Sequence, residues 1–342
     1  MSTRDVLNRG VTRRSFLEGS AIAAGGLLAG YGPRAVSAAA EDEEYVVVGA
    51  LLSIPFWEDP IAGMDRAAEV LGVKVAFIGP DDWNAAQQVT QFQQALIRKP
   101  KGVAILPVDP KSVEQIINGA LEDGIPVVTA DTDAPTSNRL CYLGTDRYQA
   151  GVQAADAMAA ELEGKGEVGA ITLGGAVSLE NCLNGFRDRL GEIAPDIEIV
   201  TVADGQGKPE LITQHTLSMI QGYPDLAGIF SNGTQESSSV AGAVQQAGKG
   251  GELVVVGQGA TLRTKDVMEA IAKGVVTASV TQRSFQAFYY AIQFLYDLVH
   301  GNSADLGLSW YETGISPLPA RVDTGTMVIT ADNVQSFIDK IM

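Results

Sequence analysis

The chain has 342 residues and a mass of 35.9 kDa, enough for two domains of ordinary size. A hydrophobic content of 46% excludes a disordered chain, and a formal charge of −17 argues against phosphate-backbone partners, so no nucleic acid is expected. Two histidines (His215, His300) and two cysteines (Cys141, Cys182) are too few for a zinc ribbon or finger, and no metal or cofactor is expected.

Residues 1–40 read as a leader. Thr12-Arg13-Arg14-Ser15-Phe16-Leu17 sets adjacent arginines before an apolar pair, followed by a weakly hydrophobic run, Ala21 to Ala29, and small residues Ser37-Ala38-Ala39-Ala40. This is the layout of a secretory signal, with the paired arginines of the twin-arginine route. Gly25, Gly26 and Gly30 make the run too short and glycine-rich for a permanent anchor, and no cysteine near the cleavage region offers a lipid attachment point. The mature chain is therefore expected in the periplasm, exported, soluble and not lipid-anchored. In that oxidising compartment Cys141 and Cys182 could form one disulfide or remain two buried thiols; the sequence leaves both open.

After the leader, strands and helices alternate. Tyr45–Leu52 is a near-continuous apolar run, as for a parallel strand covered on both faces. Ile61–Leu71 has helical spacing, Val73–Ile78 is a strand, Thr90–Ile97 a helix and Gly102–Leu106 a strand. Val113–Glu122 is a helix stopped by Gly124, Ile125–Ala130 a strand, and Leu140–Leu143 strand-like. Past Gly164 the pattern restarts: strand Val168–Leu173, helix Asn184–Ile193, strand Ile197–Val202, helix Leu211–Ile220, strand Leu226–Ser231, helix Val240–Ala247 and strand Leu253–Gly257. The halves keep step. Val46 precedes Gly63 by the same interval that separates Val168 from Gly185, and each glycine is followed by a large apolar residue, Met64 or Phe186. The fold class is α/β: two similar lobes, each a parallel sheet flanked by helices.

Ligands on open parallel sheets bind outside the carboxyl ends of the strands, so two facing lobes place their strand-end loops across a shared cleft. Enzymatic motifs are missing there. Gly164-Lys165-Gly166-Glu167-Val168-Gly169 spells G-x-G-x-x-G but precedes its strand, so it cannot cradle a pyrophosphate at a helix start. Paired acids such as Asp81-Asp82 or Asp131/Asp133 could serve a glycosidase, but such acids more often cap helices or accept hydroxyl hydrogen bonds. No catalytic residue is assigned. Phe56-Trp57, between Pro55 and Pro60, offer ring faces suited to the C–H faces of a sugar, with Trp83 a third candidate. Asp131, Glu180, Asn181, Asn232, Glu236, Gln258 and Gln282 supply acceptors and donors for hydroxyls. Asn232-Gly233-Thr234, although an N-x-T sequon, reads as a turn at a strand end.

From about Glu44 onward the chain resembles the periplasmic sugar-binding proteins of the ribose-binding type, the type I solute receptors of ABC transporters. The resemblance rests on Pro55-Phe56-Trp57 followed by Gly63, on Gly102-Val103-Ala104-Ile105-Leu106-Pro107, and on Gly124-Ile125-Pro126-Val127-Val128-Thr129-Ala130-Asp131. It continues through Leu143-Gly144-Thr145-Asp146 with Gly151, Gly185-Phe186, Val255-Val256-Gly257, Asp323-Thr324-Gly325 and Asp332-Asn333-Val334. It implies a first lobe from 44–145 plus about 283–302 and a second from 146–282 plus part of 303–342. A three-segment hinge would cross near Thr145, Gln258–Thr261 and Gln282. By the same resemblance Phe56 and Trp57 are ring-stacking aromatics, Asp131 accepts from sugar hydroxyls, Thr145 is a hydroxyl contact and Gln282 an amide contact.

Several positions depart from the family. Its second-lobe arginine falls at or near Glu180-Asn181, Thr132 stands where ribose receptors have another arginine, and Gln258-Gly259 replace an aromatic–acid pair. A cleft with few arginines favours a neutral monosaccharide or polyol over an anionic ligand. The expected activity is capture without chemistry, and the expected partners are that sugar and a membrane permease of an ABC transporter, the receptor itself being a monomer. A chemosensory or quorum-signal receptor on the same fold is the alternative.

Overall fold

The structure, a computed structural model, describes residues 42–302, 310–313 and 315–341. The leader expected over residues 1–40 lies outside the described residues.

Two six-stranded sheets form the framework. The first runs β11-β5-β4-β3-β1-β2 and the second β12-β10-β9-β8-β6-β7. The first sheet uses β1 (Glu44–Val48), β2 (Lys74–Ile78), β3 (Gly102–Ile105), β4 (Val127–Ala130), β5 (Tyr142–Gly144) and β11 (Arg321–Asp323). The second uses β6 (Lys165–Thr172), β7 (Asp196–Asp204), β8 (Leu226–Asn232), β9 (Val254–Gln258), β10 (Ala278–Gln282) and β12 (Thr326–Thr330). Shifting every number by five turns the first five strands' order into that of the second sheet, so the halves that keep step in sequence are one architecture used twice. All pairings are parallel except β10 with β12. The βαβ crossovers put helices on both faces, which is why strands such as Tyr45–Val48 are wholly buried.

The helices are α1 (Glu58–Leu71, entered through a 3-10 turn at Pro55–Trp57), α2 (Ala85–Ile97), α3 (Pro110–Glu122), α4 (Arg147–Glu161), α5 (Val177–Ile193) and α6 (Pro209–Gly222). They continue with α7 (Thr234–Gln246), α8 (Lys265–Ala272), α9 (Ser284–Val299), α10 (Trp310–Thr313) and α11 (Val334–Ile341). Several starts are fixed by capping: Asn84 accepts from Gln87 N–H, Asp109 from Lys111 and Ser112 N–H, and Asp146 from Gln149 N–H.

Some boundaries differ from the sequence reading. The first strand stops at Val48, because Gly49–Leu52 turn away and Leu51 adopts φ 51°. Helix α5 begins at Val177, so Glu180 and Asn181 stand on its first turns and not in a loop. Helix α7 begins at Thr234, six residues before the expected Val240. Helix α4 has no counterpart in the sequence reading; its buried face is alanine and glycine (Ala150, Gly151, Ala154, Ala155), which carries little hydrophobic periodicity.

The chain passes between the sheets at β5–α4, at β10–α9 and at β11–β12. The crossing expected at Gln258–Thr261 is corrected: β9 pairs with β8 and β10, so that stretch stays in the second lobe, and the third crossing runs from Asp323 to Thr326. The helix after each fifth strand packs with the opposite lobe, α4 against α5, β9 and β10, and α9 against α1, β3, β4 and β5.

Glycine decides how closely these helix pairs approach. A Cβ on Gly63 would lie 2.3 Å from the Phe285 carbonyl oxygen, and one on Gly185 2.1 Å from that of Tyr148. The two equally spaced glycines of the sequence thus do the same job, letting α1 meet α9 and α5 meet α4 at backbone distance. Cys141 and Cys182 are both buried free thiols. Among the described residues no helix is long and apolar enough to cross a membrane.

Candidate functional site

The carboxyl ends of both sheets face one cavity of about 70 Å³. Its first-lobe wall is Ala50, Leu51, Ile54, Phe56, Trp83, Leu106, Asp131 and Thr132. Its second-lobe wall includes Arg147, Leu173, Ala176, Ser178, Gly207, Gly233, Glu236, Gly259 and Gln282. The lobes meet over it, since Leu51 lies 3.5 Å from where a Cβ on Gly207 would stand. An ion pair between lobes links Asp59 of α1 to Arg263 Nε at 3.2 Å, and Asp59 also accepts from Phe285 N–H at the head of α9. Burial raises the Asp59 carboxyl above its ordinary range, although Phe285 N–H and Arg263 pull the other way.

The loops are held from behind. Gln88 is wholly buried; its amide donates to the carbonyls of Gly49 and Leu106 at 2.7 Å each and accepts from Val108 N–H at 2.8 Å. It therefore ties the ends of β1 and β3 together, where the strand order reverses and ligands sit in such sheets. In the second lobe Asn232 Nδ2 donates to Thr172 Oγ1 and to the Leu179 carbonyl, joining the ends of β6 and β8 to α5.

The sequence-singled residues divide as follows. Phe56, Trp83, Asp131, Glu236 and Gln282 line the cavity. Trp57 does not: it is 2% exposed, its indole donates to the Ala50 carbonyl, and its ring sits among Phe56, Phe77 and Phe288. The tandem aromatics thus place one ring on the cavity and the other in the core. Thr145 and Asn181 line an adjoining hollow that shares Asp131 and Arg147; Thr145 Oγ1 donates to the Gly325 carbonyl, bracing two crossings against each other. Glu180 is exposed on α5. Asn232 and Gln258 are wholly buried behind the lining, and Gln258 has neither amide atom paired.

The acids behave differently from one another. Asp133 is gripped by the Arg139 fork at 2.5 and 2.6 Å and accepts from Thr129, so it is structural. Asp131 adopts φ 64°, a left-handed conformation costly outside glycine, which aims its carboxylate at the cavity and at Arg147 Nη2, 2.5 Å away. Glu236, in the first turn of α7 and 3% exposed, has its Oε1 unpaired; burial pushes its carboxyl up to about 7, and the nearby Asp204 charge adds to this. Arg147 is the residue the sequence reading missed. A lone arginine after Thr145-Asp146 carries no motif, and only the crossing from β5 to α4 turns it into the cleft.

A profile of the periplasmic binding protein domain matches residues 45–303. The chain belongs to this family. It is 27% identical over 249 residues to the D-allose-binding periplasmic protein of Escherichia coli K12, covering 70% of this chain and 79% of that one. A sugar ABC transporter sugar-binding protein from Bacillus halodurans superposes with a TM-score of 0.77 at 31% identity, over 86% of this chain and all of that one. A Burkholderia graminis ABC transporter solute-binding protein, solved in complex with D-arabinose, gives 0.78 at 28% identity over 86% and 98%. The family consists of binding proteins, and the chain is accordingly a receptor and not an enzyme.

Proposed function

We propose that the protein is an extracytoplasmic receptor that captures a neutral monosaccharide or polyol between its lobes and hands it to an ABC permease. The observation carrying this reading is the cavity wall: Thr132 Oγ1, Arg147 Nε and Nη1, and Glu236 Oε1 are buried without protein partners beside the apolar faces of Phe56 and Trp83. Buried polar groups are normally paired, so this set fits a ligand rich in hydroxyls with an apolar ring face. The relatives carry sugars in their names, D-allose and ribose among the curated proteins and D-arabinose and D-fucose among the solved structures. Phe56 and Trp83 flank the sugar ring, and Asp131, Glu236 and Gln282 take its hydroxyls. Residues 1–40 act as a twin-arginine export signal, and the mature chain, with a first lobe of 44–145, 283–302 and β11 and a second of 146–282 and the segment from Thr326 onward, works as a monomer.

A thermal-shift screen of the protein against pentoses, hexoses, deoxysugars, polyols and sugar acids tests the reading. A ligand at a hundredfold excess over its dissociation constant adds about 2.7 kcal/mol, a shift of several degrees. One sugar stabilising where its epimers do not is the expected outcome; a flat screen on folded protein refutes it.

A further inference from the structure

The most demanding group in the cavity is the Arg147 guanidinium. Arg147 is the first residue of α4 and belongs to the second lobe, while its partner Asp131 directly follows β4 in the first. The side chains of this pair are 7% and 11% exposed. Nη2 donates to Asp131 Oδ1, but Nε and Nη1 are buried with no partner in the protein, and so is Thr132 Oγ1 on the facing wall. A buried arginine needs its charge balanced and its N–H groups accepted. Asp131 meets the first need and leaves the second unmet, so the cavity lacks acceptor oxygens and not negative charge. An anionic ligand would also face the Asp131 carboxylate and, above neutral pH, that of Glu236.

We propose that Arg147 is a specificity-determining residue, donating from Nε and Nη1 to two oxygens of an uncharged sugar while Asp131 accepts a hydroxyl of the same ligand. This rests on the receptor reading above. The planar guanidinium sets the demand: its Nε–H and Nη1–H bonds diverge, so it asks for two separate oxygens, in acceptor roles, on the side of the sugar that faces the β5–α4 crossing. The ligand then completes a bridge between lobes that Arg147 and Asp131 begin.

The test is calorimetric titration of wild type and Arg147→Lys with D-ribose, D-allose, D-arabinose and D-fucose, with D-galacturonate and D-gluconate as acids. The monodeoxy analogues of whichever neutral sugar binds follow. Lysine retains the charge beside Asp131 and loses the planar set of donors. Wild type should bind a neutral sugar at least a hundredfold more tightly than either acid, and removing one hydroxyl should cost tenfold or more. In Arg147→Lys that deoxy penalty should shrink to less than threefold, a change that a purely structural arginine does not produce. An acid binding as tightly as the neutral sugar, or deoxy penalties equal in both proteins, overturns the proposal while leaving the receptor reading intact. The comparison of acids with neutral sugars uses wild type alone, so a misfolded variant does not shield the proposal. Failure of every sugar, neutral or acidic, to bind wild type overturns the receptor reading and this inference with it.

Discussion

Replacing Glu236 by glutamine isolates one buried carboxyl on the cavity wall. Burial pushes it up to about 7 from an ordinary 4.5, with Asp204 adding to the rise and its own backbone N–H opposing it. The folded state therefore holds the proton more tightly than the unfolded chain does. A gap of this size contributes about 3 kcal/mol of stability, fully present below about pH 4.5, lost as pH rises, and gone above about pH 7. Glutamine copies the protonated form and does not titrate. Urea denaturation followed by fluorescence at several pH values should show wild type losing about 2 kcal/mol more than Glu236→Gln between roughly pH 5 and 7.5. Asp59, also raised by burial, contributes in the same direction to both proteins and cancels in the difference. Parallel stability curves for the two proteins would refute the argument, because they would mean that Glu236 is solvated or ionised throughout.

Three further outcomes are expected. Trp57→Ala should lose about 3–5 kcal/mol of stability by chemical denaturation, because its ring fills core space against Phe77 and Phe288, whereas Phe56→Ala should weaken sugar binding about tenfold. Equal effects on stability would dissolve that distinction. Gly63→Ala, despite a better helix former, should cost about 1–3 kcal/mol and lower ligand affinity, since the clash is with backbone beside the β10–α9 crossing; a stabilised variant would count against the packing argument. Gln88→Leu strands two carbonyls and one N–H at the switch point and should cost at least about 2 kcal/mol by thermal or urea unfolding, with no loss expected if water replaces the amide.

The lobe architecture was legible because buried parallel strands write themselves as apolar runs, and because the spacing from Val46 to Gly63 and from Val168 to Gly185 repeats. Helix α4 was not, since a helix buried through alanine and glycine has no strong apolar stripe. The same limit explains Arg147: its role comes from a crossing between sheets, and no local pattern reports which lobe a helix will join. Trp57 and Phe56 show another limit, for adjacent aromatics in a 3-10 turn point in different directions, and the sequence does not say which faces the cavity. The third crossing was misplaced because β11 and β12 are short and sit far from their partner strands in sequence.

The late position of β11 also governs how the protein can be made. Tyr142–Gly144 waits for Arg321–Asp323 to cover its outer edge, and Ala278–Gln282 waits for Thr326–Thr330, so both sheets are finished by one short stretch near the chain's end. A chain lacking that stretch keeps every residue of the cavity yet has two open sheet edges, each a template for wrong pairing. Neither lobe can be completed far ahead of the other, and the two sheets close in a single event. A protease nick or premature stop anywhere before Arg321 should therefore yield no half-receptor, only material for the cell's quality control.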